Sequence, residues 1–249
     1  MEQFIILSVP RSGSTVLART LDSHPEIFCA GELFNVSGNI YHPEFHFPSW
    51  GFNTKIHFIQ TINRFIDYPN QRLRAIPHIK KFYSANSKHE KARGFKLMYS
   101  NVNKAAYLWD FIKSAPIKII ILKRNNVFKT VLSRYRKANN RIAHMNEAAA
   151  SYLRFSLPSS KLIRDIEELE KVNKMLCVLA KESNSMQVCY EDFENWNEIT
   201  SRIQEFIGVN PIPLKAALKK IGAPRWQDEV INFEAIEKLL NASNYGHFI

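Results

Sequence analysis

Arg11-Ser12-Gly13-Ser14-Thr15 is the segment whose residue types most plainly do chemistry. A guanidinium fork, three hydroxyls and a glycine stand in a row between an apolar run, Phe4 to Val9, and a helical pattern carried by Val16, Leu17 and Leu21. A strand, a tight turn and a helix start make an anion site, because backbone N–H groups converge there and the helix dipole favours negative charge. Arginine suits a planar, two-pronged grip on sulfate or phosphate oxygens. A second anion-binding pair is Arg124, which ends the run Ile117 to Leu122, and Ser133 on the helical pattern that follows. Asn125 and Lys129 are substitutes for Ser133 in that role. Glu32 follows just after the second strand pattern and is the best-placed general base, with His24 as its rival. Lys96 lies on a further strand, and Tyr190-Glu191-Asp192-Phe193 closes the last one.

The same residues exclude other chemistries. A Walker loop reads GxxxxGK[ST]. Here the lysine position is Ser14, the earlier glycine position is Ser8, and the cation has moved to Arg11. There is no HExxH, CxxC or DxD pattern for a metal and no GxSxG elbow for a serine hydrolase. The chemistry expected here needs no metal.

Pro10 to Thr15, read as PRSGST, resembles the 5′-phosphosulfate loop of sulfotransferases that use 3′-phosphoadenosine-5′-phosphosulfate (PAPS), and Gly31-Glu32 and Gly94-Phe95-Lys96-Leu97-Met98 extend the likeness. The bacterial carbohydrate sulfotransferases of the nodulation-factor and trehalose type are the nearest flavour. The resemblance is sharp over residues 4 to 34 and fair over 93 to 136. It implies a P-loop-like three-layer α/β sandwich, PAPS as co-substrate with PAP as product, and a carbohydrate or glycolipid acceptor. It also implies residue roles. Arg11, Ser12, Gly13, Ser14 and Thr15 would hold the 5′-phosphosulfate. Arg124 and Ser133 would hold the 3′-phosphate, Tyr190 would lie by the nucleotide, and Glu32 would be the base. Lys96 would touch donor or acceptor. Asn232-Phe233-Glu234 carries a fainter echo of the family and reads as a plain helix cap.

Alternation of the two hydrophobic periods places these residues on a scaffold. Strands are expected at Phe4–Val9, His24–Cys29, Gly94–Tyr99, Ile117–Leu122 and Met186–Tyr190, with Gly31-Glu32 in a loop. Helices are expected at Lys55–Phe65, Ala105–Ile112, Asn125–Lys137, Glu147–Leu157, Lys161–Lys181, Glu198–Ile207 and from Asn232 to Leu240. Residues Val36 to Phe52 read as a structured loop over the site, and 67 to 92 give no clear pattern. Strands alternating with helices imply a parallel sheet covered on both faces. Ligands bind such sheets at the carboxyl ends of the strands, so Arg11 and Arg124 should share one edge.

The 249 residues suit a single domain, with 36–92 as an acceptor-side insertion. Apolar content of 45% and charged content of 23% are ordinary for a soluble globular chain. No apolar run reaches membrane length, and the chain opens directly on a strand, so a cytoplasmic location is expected. Three cysteines without metal spacing, Cys29, Cys177 and Cys189, fit free thiols in a reducing compartment, the first and last of them buried. The net charge of +11 is uneven: no acid separates Asp110 from Glu147, while acids crowd the segment from Asp165 to Glu198. That asymmetry suggests a polyanionic ligand, either a nucleotide donor or an acidic glycan. Two rivals share the features: a nucleotide kinase on a similar fold, and a basic nucleic-acid-binding protein. The missing Walker lysine speaks against the first, and the absence of a nucleic-acid-binding motif against the second.

Overall fold

The computed structural model describes residues 1–34, 42–45, 47, 73–85, 89–139, 154–217, 223 and 225–249. Five apolar runs form one sheet: β1 (Glu2–Ser8), β2 (Ile27–Glu32), β3 (Ala92–Met98), β4 (Ile117–Lys123) and β5 (Ser185–Cys189). Their order is β2-β3-β1-β4-β5, and every pair is parallel. The described helices are α1 (Ser14–Asp22), α2 (73–84), α3 (Tyr99–Lys104), α4 (Ala106–Ser114), α5 (Val127–Asn139), α6 (Ser159–Lys181), α7 (Trp196–Ile207) and α8 (Phe233–Asn241).

Strand side chains alternate between faces, so a sheet covered on both sides needs unbroken apolar runs. Phe4 and Ile6 point into one layer with Leu17 and Leu21 of α1 and Ile199, Ile203 and Ile207 of α7. Ile5 and Leu7 point into the other, with Ile79 and Phe82 of α2, Leu108 and Ile112 of α4, Val131 of α5, Leu162 and Ile166 of α6 and Ile236 of α8. The fold is therefore the expected α/β arrangement of a central parallel sheet between helical layers. Gly94 sits mid-strand because a Cβ there would fall 2.5 Å from the Phe4 ring.

Several local expectations change. Gly31-Glu32 is not a loop: β2 continues through it, and a bulge between Cys29 and Glu32, with Gly31 at φ 74°, lets Glu32 pair opposite Lys96. Helix α2 lies in the patternless stretch, with Ala75, Ile79, Phe82 and Tyr83 buried. Of the helix expected over Glu147–Leu157, residues 154–157 are not helical, and Phe155 bridges to Val230. Asn232 precedes α8 without capping it through its side chain. Its amide instead clasps Leu157, accepting from the backbone N–H and donating to the carbonyl, both at 2.9 Å. Cys29 is buried as expected, whereas Cys189 is only half-buried. The helix expected at Lys55–Phe65, most of the loop Val36–Phe52 and residues 147–153 lie outside the described residues.

Candidate active site

All five strands deliver a candidate residue to their carboxyl edge. Read across the sheet, these are Glu32 ending β2, Lys96 near the end of β3, the Arg11–Thr15 loop after β1, Arg124 directly after β4 and Tyr190 directly after β5. The helix after β1 covers one face and the helix after β4 the other, so the connections leave the two strands in opposite directions, the arrangement at which open α/β sheets bind ligands. Strand ends separated by one sheet spacing of about 4.8 Å put Arg11 and Arg124 within reach of one ligand.

The loop is shaped from within. Arg11 takes a left-handed backbone (φ 73°) and Gly13 another (φ 90°). The Ser12 hydroxyl donates to the Val9 carbonyl at 2.8 Å, and its side chain is wholly buried. Ser12 thus fixes the turn with its hydroxyl, leaving only its backbone to face a ligand. Ser14 is buried at the first position of α1, while Thr15 is exposed. Arg11 Nε donates to Ser133 Oγ at 2.9 Å, which joins the two anion-binding pairs read from the sequence. Burial, and then the charge of Arg136, lower the pKa of the Arg11 guanidinium.

Arg124 lies over the Tyr190 ring, its guanidinium carbon 4.4 Å from the centroid. Burial lowers its pKa, opposed by Tyr190 and Glu191. Its Nε is buried without a hydrogen-bond partner among the described residues. An orphaned buried donor in a cationic crevice fits a bound oxyanion. Tyr190 also roofs the loop, because a Cβ on Gly13 would fall 2.5 Å from Tyr190 Cδ2. Only glycine suits that position, both in φ and in space. Gly13→Ala is expected to lose roughly 1–3 kcal/mol of stability and to weaken anion binding. Denaturant unfolding with and without ligand checks this, and an unchanged midpoint with unchanged affinity would contradict it.

At the other flank, Lys96 Nζ donates to Thr15 Oγ1 at 2.9 Å and pairs with Glu32 Oε1 at 2.7 Å. Lys96 is 7% exposed and Glu32 26%. The ammonium therefore ties the Arg11–Thr15 loop to the carboxylate and leaves that carboxylate reachable from solvent.

The family model described as "Sulfotransferase family" matches residues 3–212. The chain belongs to the sulfotransferase family. No curated protein sequence matches it. Among solved structures it is similar to a sulfotransferase from Alicyclobacillus acidocaldarius, with 15% identity, 97% of this chain and 95% of that one covered, and a TM-score of 0.48. It is also similar to the sulfotransferase domain of the Synechococcus PCC 7002 olefin synthase, with 18% identity, 95% and 86% covered, and a TM-score of 0.44. Among the described residues of this sulfotransferase, no helix is long and apolar enough to cross a membrane, and no three His, Cys, Asp or Glu gather as metal ligands.

His24 falls away from the candidate site. It follows the far end of α1, at the amino edge of the sheet. Its Nδ1 accepts from the Glu26 N–H at 3.0 Å, so Nε2 carries the proton and faces the Asn210 carbonyl at 3.2 Å. Both nitrogens are used in joining loops. Asn125 and Lys129 are exposed and take no part in the contacts of Arg11 or Ser133. Two acids that sequence reasoning did not assign to the site hold the elements that carry its candidates. The Glu191 carboxylate accepts from the N–H groups of Asn125 and Asn126 at 3.0 and 3.1 Å, fixing the turn that presents Arg124. Asn126 Oδ1 then accepts from the Lys129 N–H at 2.9 Å, closing the first turn of α5. The second acid, Glu229, is 2% exposed and grips Arg136 of α5. The sequence signal for Glu191 was its place between Tyr190 and Asp192; Glu229 carried none.

Proposed function

We propose that this sulfotransferase moves the sulfuryl group of PAPS to a hydroxyl of a carbohydrate or glycolipid acceptor, with Glu32 as general base. The observation that carries the reading is the order of residues along the sheet edge. The two anion-binding arginines lie on adjacent strands, and the only acidic candidate lies two strands away on the opposite side of the loop. A donor with phosphates at both ends spans Arg11 and Arg124. An acceptor hydroxyl beside Glu32 then approaches the sulfur from the side opposite the leaving phosphate. The 249 residues act in this reading as one catalytic unit.

The chemistry follows from charge. The S–O bond to the phosphate breaks while the acceptor oxygen bonds sulfur, and the acceptor proton passes to Glu32. Arg11 and the amides at the start of α1 offset the charge that grows on the leaving phosphate. Lys96, shared between Thr15 and Glu32, holds the base at a fixed distance from the loop. Arg124, stacked on Tyr190, takes the 3′-phosphate, with Ser133 linking that subsite to Arg11. A carboxylate next to an anion site costs donor affinity, so its presence there is explained by work on the acceptor.

The test is a thermal-shift comparison. PAP at a hundredfold its dissociation constant is expected to stabilise the protein by about 2.7 kcal/mol, with AMP, ATP and an oligonucleotide far behind and no dependence on magnesium. Equal shifts with ATP, or a magnesium requirement, would favour a kinase. A shift with oligonucleotide alone would favour nucleic-acid binding.

A further inference from the structure

Arg136 stands out among the cations of the acid-free stretch between Asp110 and Glu147. It lies three residues after Ser133 on α5, hence on the same helical face, and Ser133 is the hydroxyl that receives Arg11. Its side chain is 14% exposed. Nε donates to Glu229 Oε2 at 2.6 Å, and Nη2 donates to Glu229 Oε1. The grip is the two-pronged arginine–carboxylate form, which fixes the plane and direction of the guanidinium. Glu229 comes from the short helical turn after Trp226, beyond residue 212, where the family match ends. Trp226 is itself anchored edge-on against Phe128 of α5, with ring centroids 5.2 Å apart. The C-terminal segment is therefore packed onto α5 and brings a buried acid to it.

A buried pair of this kind stabilises little by itself, since desolvation offsets the attraction. Its placement is what calls for an explanation. Arg136 is near enough to both Arg11 and Arg124 that its charge, after burial, adds to the lowering of their pKa values. Three guanidiniums thus lie near one another beside Ser133. Like charges crowd this way at a cost that an incoming polyanion recovers.

We infer that Arg136 is a third cationic arm of the donor's 3′-phosphate subsite and that Glu229 is the positioning residue that aims it. Glu229 keeps the guanidinium from swinging out to solvent. It also offsets enough charge for three arginines to share the crevice before the donor arrives. In this respect the C-terminal segment completes a site that the rest of the chain only outlines.

The inference rests on the donor reading above, and the experiment separates the two. Arg136→Met with Glu229→Leu replaces the pair by apolar residues of similar volume, which buried pairs commonly tolerate. The melting temperature without ligand is expected to stay within a few degrees of wild type. The PAP dissociation constant is expected to rise at least about tenfold, the strength typical of one charge-assisted contact, with a shallower dependence on salt. A double variant that folds and binds PAP as wild type does overturns the arm and leaves the pair a structural clasp. If that variant does not fold, Arg136→Gln with Glu229→Gln, a neutral pair that still shares hydrogen bonds, carries the same comparison with the same two outcomes. Wild-type protein that binds pyrophosphate but not PAP defeats the donor reading alone, and the variants are then compared on pyrophosphate. Binding of neither ligand by wild type overturns both.

Discussion

Arg124→Ala is expected to weaken PAP about tenfold to a hundredfold while leaving adenosine-5′-phosphosulfate nearly unchanged. The ligands differ at the 3′ position, so the comparison isolates whatever contacts the 3′-phosphate. A charge-assisted hydrogen bond to a buried guanidinium is worth roughly 1.5–3 kcal/mol. Arg124 is prepared for such a bond, with a buried Nε lacking a partner among the described residues and a guanidinium resting on Tyr190. Truncation is not expected to disturb the 5′ loop. Tyr190 is held independently by Phe193, with ring centroids 5.3 Å apart, and by its seat against Gly13. The turn that carries residue 124 is pinned by its own carbonyl, which accepts from Asn173 Nδ2 at 3.1 Å, and by Glu191 just after it. Calorimetry on both ligands decides. Equal losses would place Arg124 at the 5′ end, and no loss would remove it from the donor site.

The candidate site is legible where its residues are neighbours in sequence. Pro10 to Thr15, the Ile117–Leu122 run with Arg124 at its end, and Glu32 close behind β2 each announce themselves within a few positions, because strand, turn and helix start are local events. The sheet follows from the same local signals, since buried parallel strands must be continuously apolar. What could not be read depends on distant partners. Nothing in the sequence joins Glu229 to Arg136, which lie 93 positions apart, or Glu191 to the Asn125 and Asn126 amides, 66 and 65 apart. Asn232 looked like a cap because caps are local; its actual partner, Leu157, is 75 positions away. Gly31-Glu32 looked like a loop because glycine commonly ends a strand, whereas here it makes a bulge that keeps the strand paired. Helix α2 was hidden because its buried residues, Ala75, Ile79, Phe82 and Tyr83, are spaced among lysines, an arginine and a proline.

Glu32→Gln is expected to lower turnover about 10²–10⁴-fold, the usual contribution of a positioned general base, with PAP affinity unchanged or slightly improved. The substitution keeps the shape and removes the proton acceptor. The structure supplies a rival explanation that must be separated from this one. Glu32 pairs with Lys96 at 2.7 Å, and Lys96 reaches Thr15 on the loop after β1. Were Glu32 only an anchor for Lys96, its loss would act through the lysine. A double-mutant cycle resolves the two roles. In a Lys96→Met background an anchor has nothing left to hold, so Glu32→Gln would add no further loss. A base acting on the acceptor keeps its effect there, because the acceptor hydroxyl still needs to shed its proton. His24→Gln serves as the comparison at the opposite edge of the sheet, where the ring is occupied by Glu26 and Asn210, and it is expected to leave turnover intact. If the loss from Glu32→Gln disappears in the Lys96→Met background, Glu32 is an anchor and the base must be sought elsewhere along the acceptor side.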